Sequence, residues 1–386
     1  MSIELVSTEN WGDPPHNRWS FQHVQALFPT ARVRRGTGPA SEFTERHEEL
    51  TQLTYQGLDD QPRSVRQMLD ETYTDVFLVM KDGVILTEEY GNDMSADSHH
   101  LLNSVTKSFV GMLTGILVKE GVINPDKRVA GYIPEFEETA FRETTLQQAL
   151  DMTAAVKFGE DYADKKADFW VEAAVVGWRP ALVHDHSAST LFDYALSLKE
   201  TEQSDGEKFH YRTVLTNVVA MVIERTTGQK IQNLLEQRLW QKLGTEQDAC
   251  IVVDPAGFPY VGAGMSACAR DLARFGQMLL QNGHYNGSQI VPAEWIANTL
   301  VGNDELRKLF SETDYAAMLP GGHYRNQVWV NPTQKVMMCI GIYGQTIFVD
   351  QSTGVVMVKL STHPEPVDDF LFGDTFLAMN TLSAAL

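Results

Sequence analysis

The sequence predicts an α+β fold: one antiparallel sheet assembled from both ends of the chain and flanked by helices, with a mostly helical region inserted in the middle. Three observations carry this. Residues 75–91 (DVFLVMKDGVILTEEYG) are two β-rich runs around Asp82-Gly83, a hairpin-turn dipeptide. Residues 328–330, 335–350 and 354–361 read as three further strands with turns between them, a meander. The stretch 134–263 carries helical patterns instead, among them TTLQQALDM and YRTVLTNVVAMVIERTTG.

Taken in order, residues 1–70 are irregular, with one short helix expected over 41–53. After the hairpin, Phe109, Val110, Leu113, Ile116 and Leu117 recur at helical spacing, and Gly121 ends that helix. The turn-rich NPDKRVAGYIPEF opens the inserted region. There Val214, Val218, Met221 and Val222 form the apolar face of a helix closed by Gly228. Residues 368–386 read as a closing amphipathic helix. The expected division is an α/β domain in two parts, 1–130 and 264–386, around a helical domain at 131–263.

Length and composition allow one large domain or two packed ones: 386 residues, 43% hydrophobic and 21% charged. The 31 basic and 51 acidic side chains leave a net charge of −20, which repels phosphate backbones and anionic lipid. Nucleic-acid and membrane-surface roles are thereby disfavoured. There is no run of about 18 apolar residues and no basic–apolar leader, so the expected location is cytoplasmic. Cys250, Cys268 and Cys339 are far apart and form no C-x-x-C, as reduced, buried cysteines would.

The chemistry centres on NSVTKSFVGML. Ser104 and Lys107 are three residues apart, on one face of the expected helix. A serine beside a lysine can be a nucleophile beside its proton acceptor, provided burial lowers the lysine pKa. A helix N-terminus also presents N–H groups to an oxyanion. The same residues fit a cap serine followed by a surface lysine. No other serine in the chain has a lysine three residues on. In KFHYRTVLTNVV, Tyr211 precedes an apolar helix, with Thr213 and Asn217 beyond it. A tyrosine there can share a proton with a lysine, or it is a core tyrosine at a helix start. In CIGIYGQTIFVD, Gly341 and Gly344 break a strand, which lets a ligand approach its N–H groups or marks a bulge without chemistry.

Other features are open. His99 and His100 either line a cleft beside the Ser104 helix or form a surface pair. His184-Asp185-His186 could bind a metal but has no third ligand at suitable spacing. Trp170, Trp178 and Trp329 either wall a pocket or simply pack. No G-x-S-x-G elbow, H-E-x-x-H, Walker A or dinucleotide fingerprint occurs.

Ser104-x-x-Lys107 at a helix start, Tyr211-x-Thr213 about a hundred residues on and a glycine-containing strand near the C-terminus follow one another in an order that resembles the serine β-lactamase and penicillin-binding-protein superfamily. Within it the chain resembles the class C-like esterase branch, and there the 6-aminohexanoate-dimer (nylon oligomer) hydrolase group. NWGDPPHNRWSFQHV, GVINPDKRVAGYIPE and GAGMSACARDLARFGQMLLQNG extend the resemblance over nearly the whole chain. It implies a β-lactamase-like fold. It also implies a serine hydrolase cleaving ester or amide bonds of small molecules through an acyl-enzyme on Ser104, with Lys107 and Tyr211 as the base pair. The oxyanion hole would use the N–H groups of Ser104 and Ile342, with Gln345 the second choice for the latter.

The resemblance further implies that Tyr162, in FGEDYADKKADFW, closes over the substrate and hydrogen-bonds to the leaving amine. Thr213, Trp178, Trp329, Tyr343 and Gln345 would complete the substrate's surroundings. The strand carries neither Lys-Thr-Gly nor His-x-Gly, and Tyr343 would reshape the acyl pocket. No metal or organic cofactor is implied. The expected partner is a small-molecule ester or amide, and a homodimer is left open. An acyltransferase would use the same acyl-enzyme with an alcohol or amine in place of water. A catalytically silent penicillin-binding-like sensor would keep the scaffold without turnover.

Overall fold

The computed structural model describes residues 5–181 and 188–386. Its main sheet has eight strands, in the order His323–Arg325, Val328–Asn331, Val336–Gly341, Gln345–Asp350, Val355–Ser361, Thr74–Lys81, Val84–Tyr90, Thr44–Glu45. The sheet is therefore built from both ends of the chain, joined where Val355–Ser361 pairs antiparallel with Thr74–Lys81 (Val358 opposite Leu78). Six consecutive residues of Thr74–Lys81, and all of Val355–Ser361, are buried. Central strands covered on both faces carry continuous apolar runs of this kind. Asp82 (φ 50°) and Gly83 (φ 83°) make the two-residue turn of the N-terminal hairpin, both left-handed as a turn matching strand twist requires.

Four expectations change. Residues 335–350 are two strands, Val336–Gly341 and Gln345–Asp350, hinged at Ile342–Gly344, where Tyr343 (φ 63°) and Gly344 (φ 89°) are left-handed. A further strand, His323–Arg325, precedes the meander on the sheet edge. Residues 41–53 form no helix. Thr44–Glu45 instead lies parallel to Val84–Tyr90, and Arg46 and Glu48 donate N–H bonds to Ile85 and Leu86. This charged segment covers the edge strand of the hairpin.

The fourth change is a second sheet: Thr30–Val33, Ala249–Val252, Met265–Ala267 and His100–Leu101. Strands of two to four residues carry no readable period, and these come from distant parts of the chain. This sheet delivers the chain to Ser104, because Leu102 N–H donates to Met265 O at 2.8 Å just before the helix begins.

The helix after Ser104, Val105–Lys119, is buried without a break from Val105 to Leu117. Two of its glycines permit close packing: a Cβ on Gly111 would lie 2.0 Å from Asn326 O, and one on Gly115 2.4 Å from the Trp295 ring. Thr213–Thr227 packs beside it and ends at left-handed Gly228. The closing helix Asp369–Ala385 is capped by Asp368, whose side chain accepts from Leu371 N–H at 3.0 Å. Among the described residues, no helix is long and apolar enough to cross a membrane.

Candidate active site

Ser104 stands at the N-cap position of Val105–Lys119, yet its hydroxyl makes no capping bond. Its backbone is already helical (φ −67°, ψ −10°). A capping side chain needs an extended backbone to reach back to the N2 or N3 amide. The hydroxyl instead lies 2.7 Å from Lys107 Nζ. Asn103, left-handed at φ 47°, turns the chain sharply into this position, and its Nδ2 donates to Ile342 O at 3.1 Å.

Lys107 is only 1% exposed. As an ammonium it donates to Ser104 Oγ, to Thr213 Oγ1 at 3.0 Å and to Gly262 O at 2.6 Å. As a free amine its lone pair faces the Ser104 O–H. Burial pushes its pKa down to about 8, against the pull of the Glu160 and Glu172 carboxylates. A substantial free-base fraction near neutral pH is what a lysine base requires.

Tyr211 and Ser104 line the same cleft, and the serine side chain works to lower the Tyr211 pKa. The Tyr211 ring stacks on Trp329 (5.3 Å, 24°) and lies 5.0 Å from Lys107 Nζ. Lysine and tyrosine thus meet through the ring. Burial, followed by the Glu160 charge, holds the phenol well above its usual pKa. Such a phenol keeps its proton at neutral pH, which makes it a donor to a departing atom.

Gly341 brings the broken strand against Ser104: a Cβ there would lie 2.4 Å from Leu102 O and 3.1 Å from Ser104 N. The N–H groups of Ser104 and Ile342 meet no acceptor among the described residues. Two unpaired donors side by side at a helix start form a site for developing negative charge.

These groups open into a cleft of about 380 Å³. Ser104, Tyr162, Tyr211, Trp329 and Ile342 line it, together with Tyr315. Thr213 lies behind Lys107 and relays it to Glu160: Thr213 Oγ1 donates to Glu160 Oε1 at 2.5 Å, and Tyr162 Oη donates to the same oxygen at 2.7 Å. Trp178 and Tyr343 line a neighbouring cavity instead. Gln345 is fully buried; its Nε2 donates to Ser361 O at 2.7 Å and Tyr343 O at 3.1 Å, and its Oε1 accepts from Ser361 N–H at 3.2 Å. It holds the Ile342–Gly344 turn and does not face the cleft. His100 is buried against Asp75 and the Leu101 carbonyl, and His99 binds Asp248 O, so neither lines the cleft. His184-Asp185-His186 lies outside the described residues. Among those described, no group of three or more His, Cys, Asp or Glu is placed to hold a metal.

Sequence reasoning missed three groups. Glu160 sits two residues before Tyr162 and was readable as a nearby carboxylate. Glu172, in the middle of the helix Asp168–Val175, is fully buried. It accepts from Asn217 Nδ2 at 3.0 Å and Tyr260 Oη at 3.2 Å, and burial raises its pKa to about 8. Gly262 contributes only its backbone: its N–H donates to Asn217 Oδ1 at 3.0 Å while its carbonyl faces Lys107. A main-chain role leaves no side-chain signal.

The Glu172 carboxylate favours the charged form of Lys107. Glu172→Gln removes that pull, so the Lys107 pKa falls and the acid limb of kcat/KM moves to lower pH. Glu172 is itself ionised only near and above pH 8, so the ratio of kcat/KM at about pH 8 to that at about pH 10 is expected to rise about two-fold or more. A pH–rate profile on an ester substrate checks this; an unmoved limb would exclude it.

Comparison with known proteins bears on the fold and the family. Over 361 residues the chain is 34% identical to a 6-aminohexanoate-dimer hydrolase of Paenarthrobacter ureafaciens, covering 93% of this chain and 88% of that one. A solved Bacillus anthracis structure, provisionally named a 6-aminohexanoate-dimer hydrolase, superposes with a TM-score of 0.87 at 27% identity, over 100% of this chain and 98% of the other. A D-stereospecific amidohydrolase from Streptomyces shares the fold at a TM-score of 0.59 and 17% identity, over 79% and 96% of the two chains. The beta-lactamase family model matches residues 63–378, and the chain belongs to that family of hydrolases.

Proposed function

We propose that this chain is a serine hydrolase that cleaves ester or amide bonds of small molecules through an acyl-enzyme on Ser104. The observation that carries the reading is the 2.7 Å contact between Ser104 Oγ and a fully enclosed Lys107 Nζ, beside two unpaired N–H groups. Lys107 takes the Ser104 proton as Oγ attacks the substrate carbonyl. The N–H groups of Ser104 and Ile342 hold the oxyanion. As the C–O or C–N bond breaks, the leaving atom takes a proton from Tyr211, which Lys107 restores. Tyr162, whose proton is held by Glu160, accepts a hydrogen bond from the N–H of a departing amine. Water then enters, gives its proton to Lys107 and attacks the acyl carbon. The Ser104–acyl bond breaks, Ser104 regains a proton, and the acid leaves.

The test is intact-mass analysis after mixing with a fluorophosphonate, alongside turnover of p-nitrophenyl esters and of the linear 6-aminohexanoate dimer named for the relative. A single adduct on Ser104 is expected, with turnover of at least one substrate. In Ser104→Ala both are expected to be lost. Undiminished turnover by Ser104→Ala would overturn the reading.

A further inference from the structure

Three phenols reach the cleft beside Ser104: Tyr162, Tyr211 and Tyr315. Tyr162 gives its proton to Glu160, and the Tyr211 ring lies 5.0 Å from Lys107 Nζ. Tyr315 opens the short helix Tyr315–Met318, its ring 5.0 Å from that of Trp329 and 6.5 Å from that of Tyr211. The residue is 37% exposed, yet burial is the main cause that raises its pKa, so the hydroxyl is its enclosed end. Burial raises the pKa values of Tyr162 and Tyr211, and a charge on the Tyr315 oxygen adds to it, so the three hydroxyls face one space. Among the described residues the Tyr315 hydroxyl has no hydrogen-bond partner. The phenol keeps its proton at neutral pH. A free O–H donor therefore stands on a wall it shares with Met318, Trp329 and Phe372. A polar group set among apolar walls fixes how a ligand lies.

The charges on this cleft have one sign. Asp314 precedes Tyr315, and Asp369 stands across from it at the start of the closing helix. Among the described residues, no lysine, arginine or histidine side chain lines the cleft. Two carboxylates repel a third. A carboxamide meets no such repulsion: its carbonyl accepts from the Tyr315 O–H, and its N–H groups can donate to Asp314. In the acyl-enzyme reading, the leaving atom takes its proton from Tyr211. Tyr211 lines this cleft and not the neighbouring one, so the leaving group lies on the Tyr315 side.

We propose that Tyr315 is a specificity-determining residue: its hydroxyl binds the leaving group, which carries an uncharged carboxamide and not a carboxylate. The proposal rests on the acyl-enzyme reading above and names the chemical class of the leaving group. Suitable probes are the acetates of 4-hydroxybenzamide, of 4-hydroxybenzoate and of 4-(trifluoromethyl)phenol. They share one acyl group and differ only in what the leaving phenol carries: an uncharged donor and acceptor, an anion, or neither.

The ratio of kcat/KM for the carboxamide ester to that for the trifluoromethyl ester is expected to fall about tenfold in Tyr315→Phe. In Asp314→Asn, the ratio of the carboxamide to the carboxylate ester is expected to fall about threefold or more. Comparing each ratio between proteins cancels the intrinsic reactivity of the esters. In the wild-type protein, 4-hydroxybenzamide is expected to bind about tenfold more tightly than 4-hydroxybenzoate by calorimetry. This arm needs neither a variant nor turnover, so it decides the matter if Tyr315→Phe does not fold or if no ester is hydrolysed. An unchanged carboxamide-to-trifluoromethyl ratio in Tyr315→Phe would overturn the proposal. So would a benzoate that binds as tightly as the benzamide, or a benzamide that does not bind. Absence of any acyl adduct on Ser104, with the benzamide preference intact, would instead count against the hydrolase reading alone.

Discussion

Lys107→Met is expected to lower kcat by about three to four orders of magnitude while leaving the protein folded. Methionine matches the length of the lysine stem and suits a site that is already desolvated. The substitution removes the group that takes the Ser104 proton. It also removes a buried cation whose pKa burial has already depressed, so the folded state no longer bears that cost. Against this, Thr213 Oγ1 and Gly262 O lose a donor. The two stability terms oppose each other, so the thermal midpoint is expected to move little while turnover collapses. Thermal unfolding and single-turnover kinetics on one preparation separate these effects. Retention of more than about a tenth of wild-type kcat would show that Lys107 is not the base.

Gly341→Ala is expected to reduce kcat by about 10²–10³-fold, with a smaller change in KM. The added methyl would lie 2.4 Å from Leu102 O and 3.2 Å from Asn103 Cβ, both on the segment leading into Ser104. Neither neighbour is the free end of a flexible side chain, so the strand must move away from the helix start. Ile342 N–H moves with it and no longer converges with Ser104 N–H. Overpacking of this kind also costs about 1–3 kcal/mol of stability, readable by chemical denaturation. Gly38→Ala is the control, because a methyl there meets nothing within 4 Å. Equal kcat in the two variants would dissociate Gly341 from the oxyanion site.

The parts of the site legible in the sequence share one property: their geometry is local. Ser104 and Lys107 meet because a helix brings positions three apart together, and Asp82-Gly83 announces its hairpin by the backbone it requires. The main sheet was legible because its central strands are long apolar runs. The short strands of the second sheet had too few residues for a period to show. Residues 335–350 read as one strand because β-propensity does not register the reversal at Tyr343 and Gly344. Gln345 looked like a residue facing substrate, but its carboxamide is spent on backbone groups around the turn. Glu172 and Gly262 act on Lys107 through contacts that only tertiary structure creates.

The seam between Thr74–Lys81 and Val355–Ser361 has a consequence for the chain as it is made. Ser104 and Lys107 are synthesised early, but Ile342 and the strands that hold it come from the last part of the chain. Until that part emerges, the apolar hairpin lacks its neighbour on one side, and Ser104 lacks the Ile342 N–H beside it. Pairings between such distant segments form late, because closing the intervening loop costs entropy before any contact repays it. On the proposed mechanism, the growing polypeptide is therefore expected to be inactive. The Ser104 and Ile342 N–H groups are then expected to come together late in folding, and the same delay would leave a strand edge exposed to wrong partners.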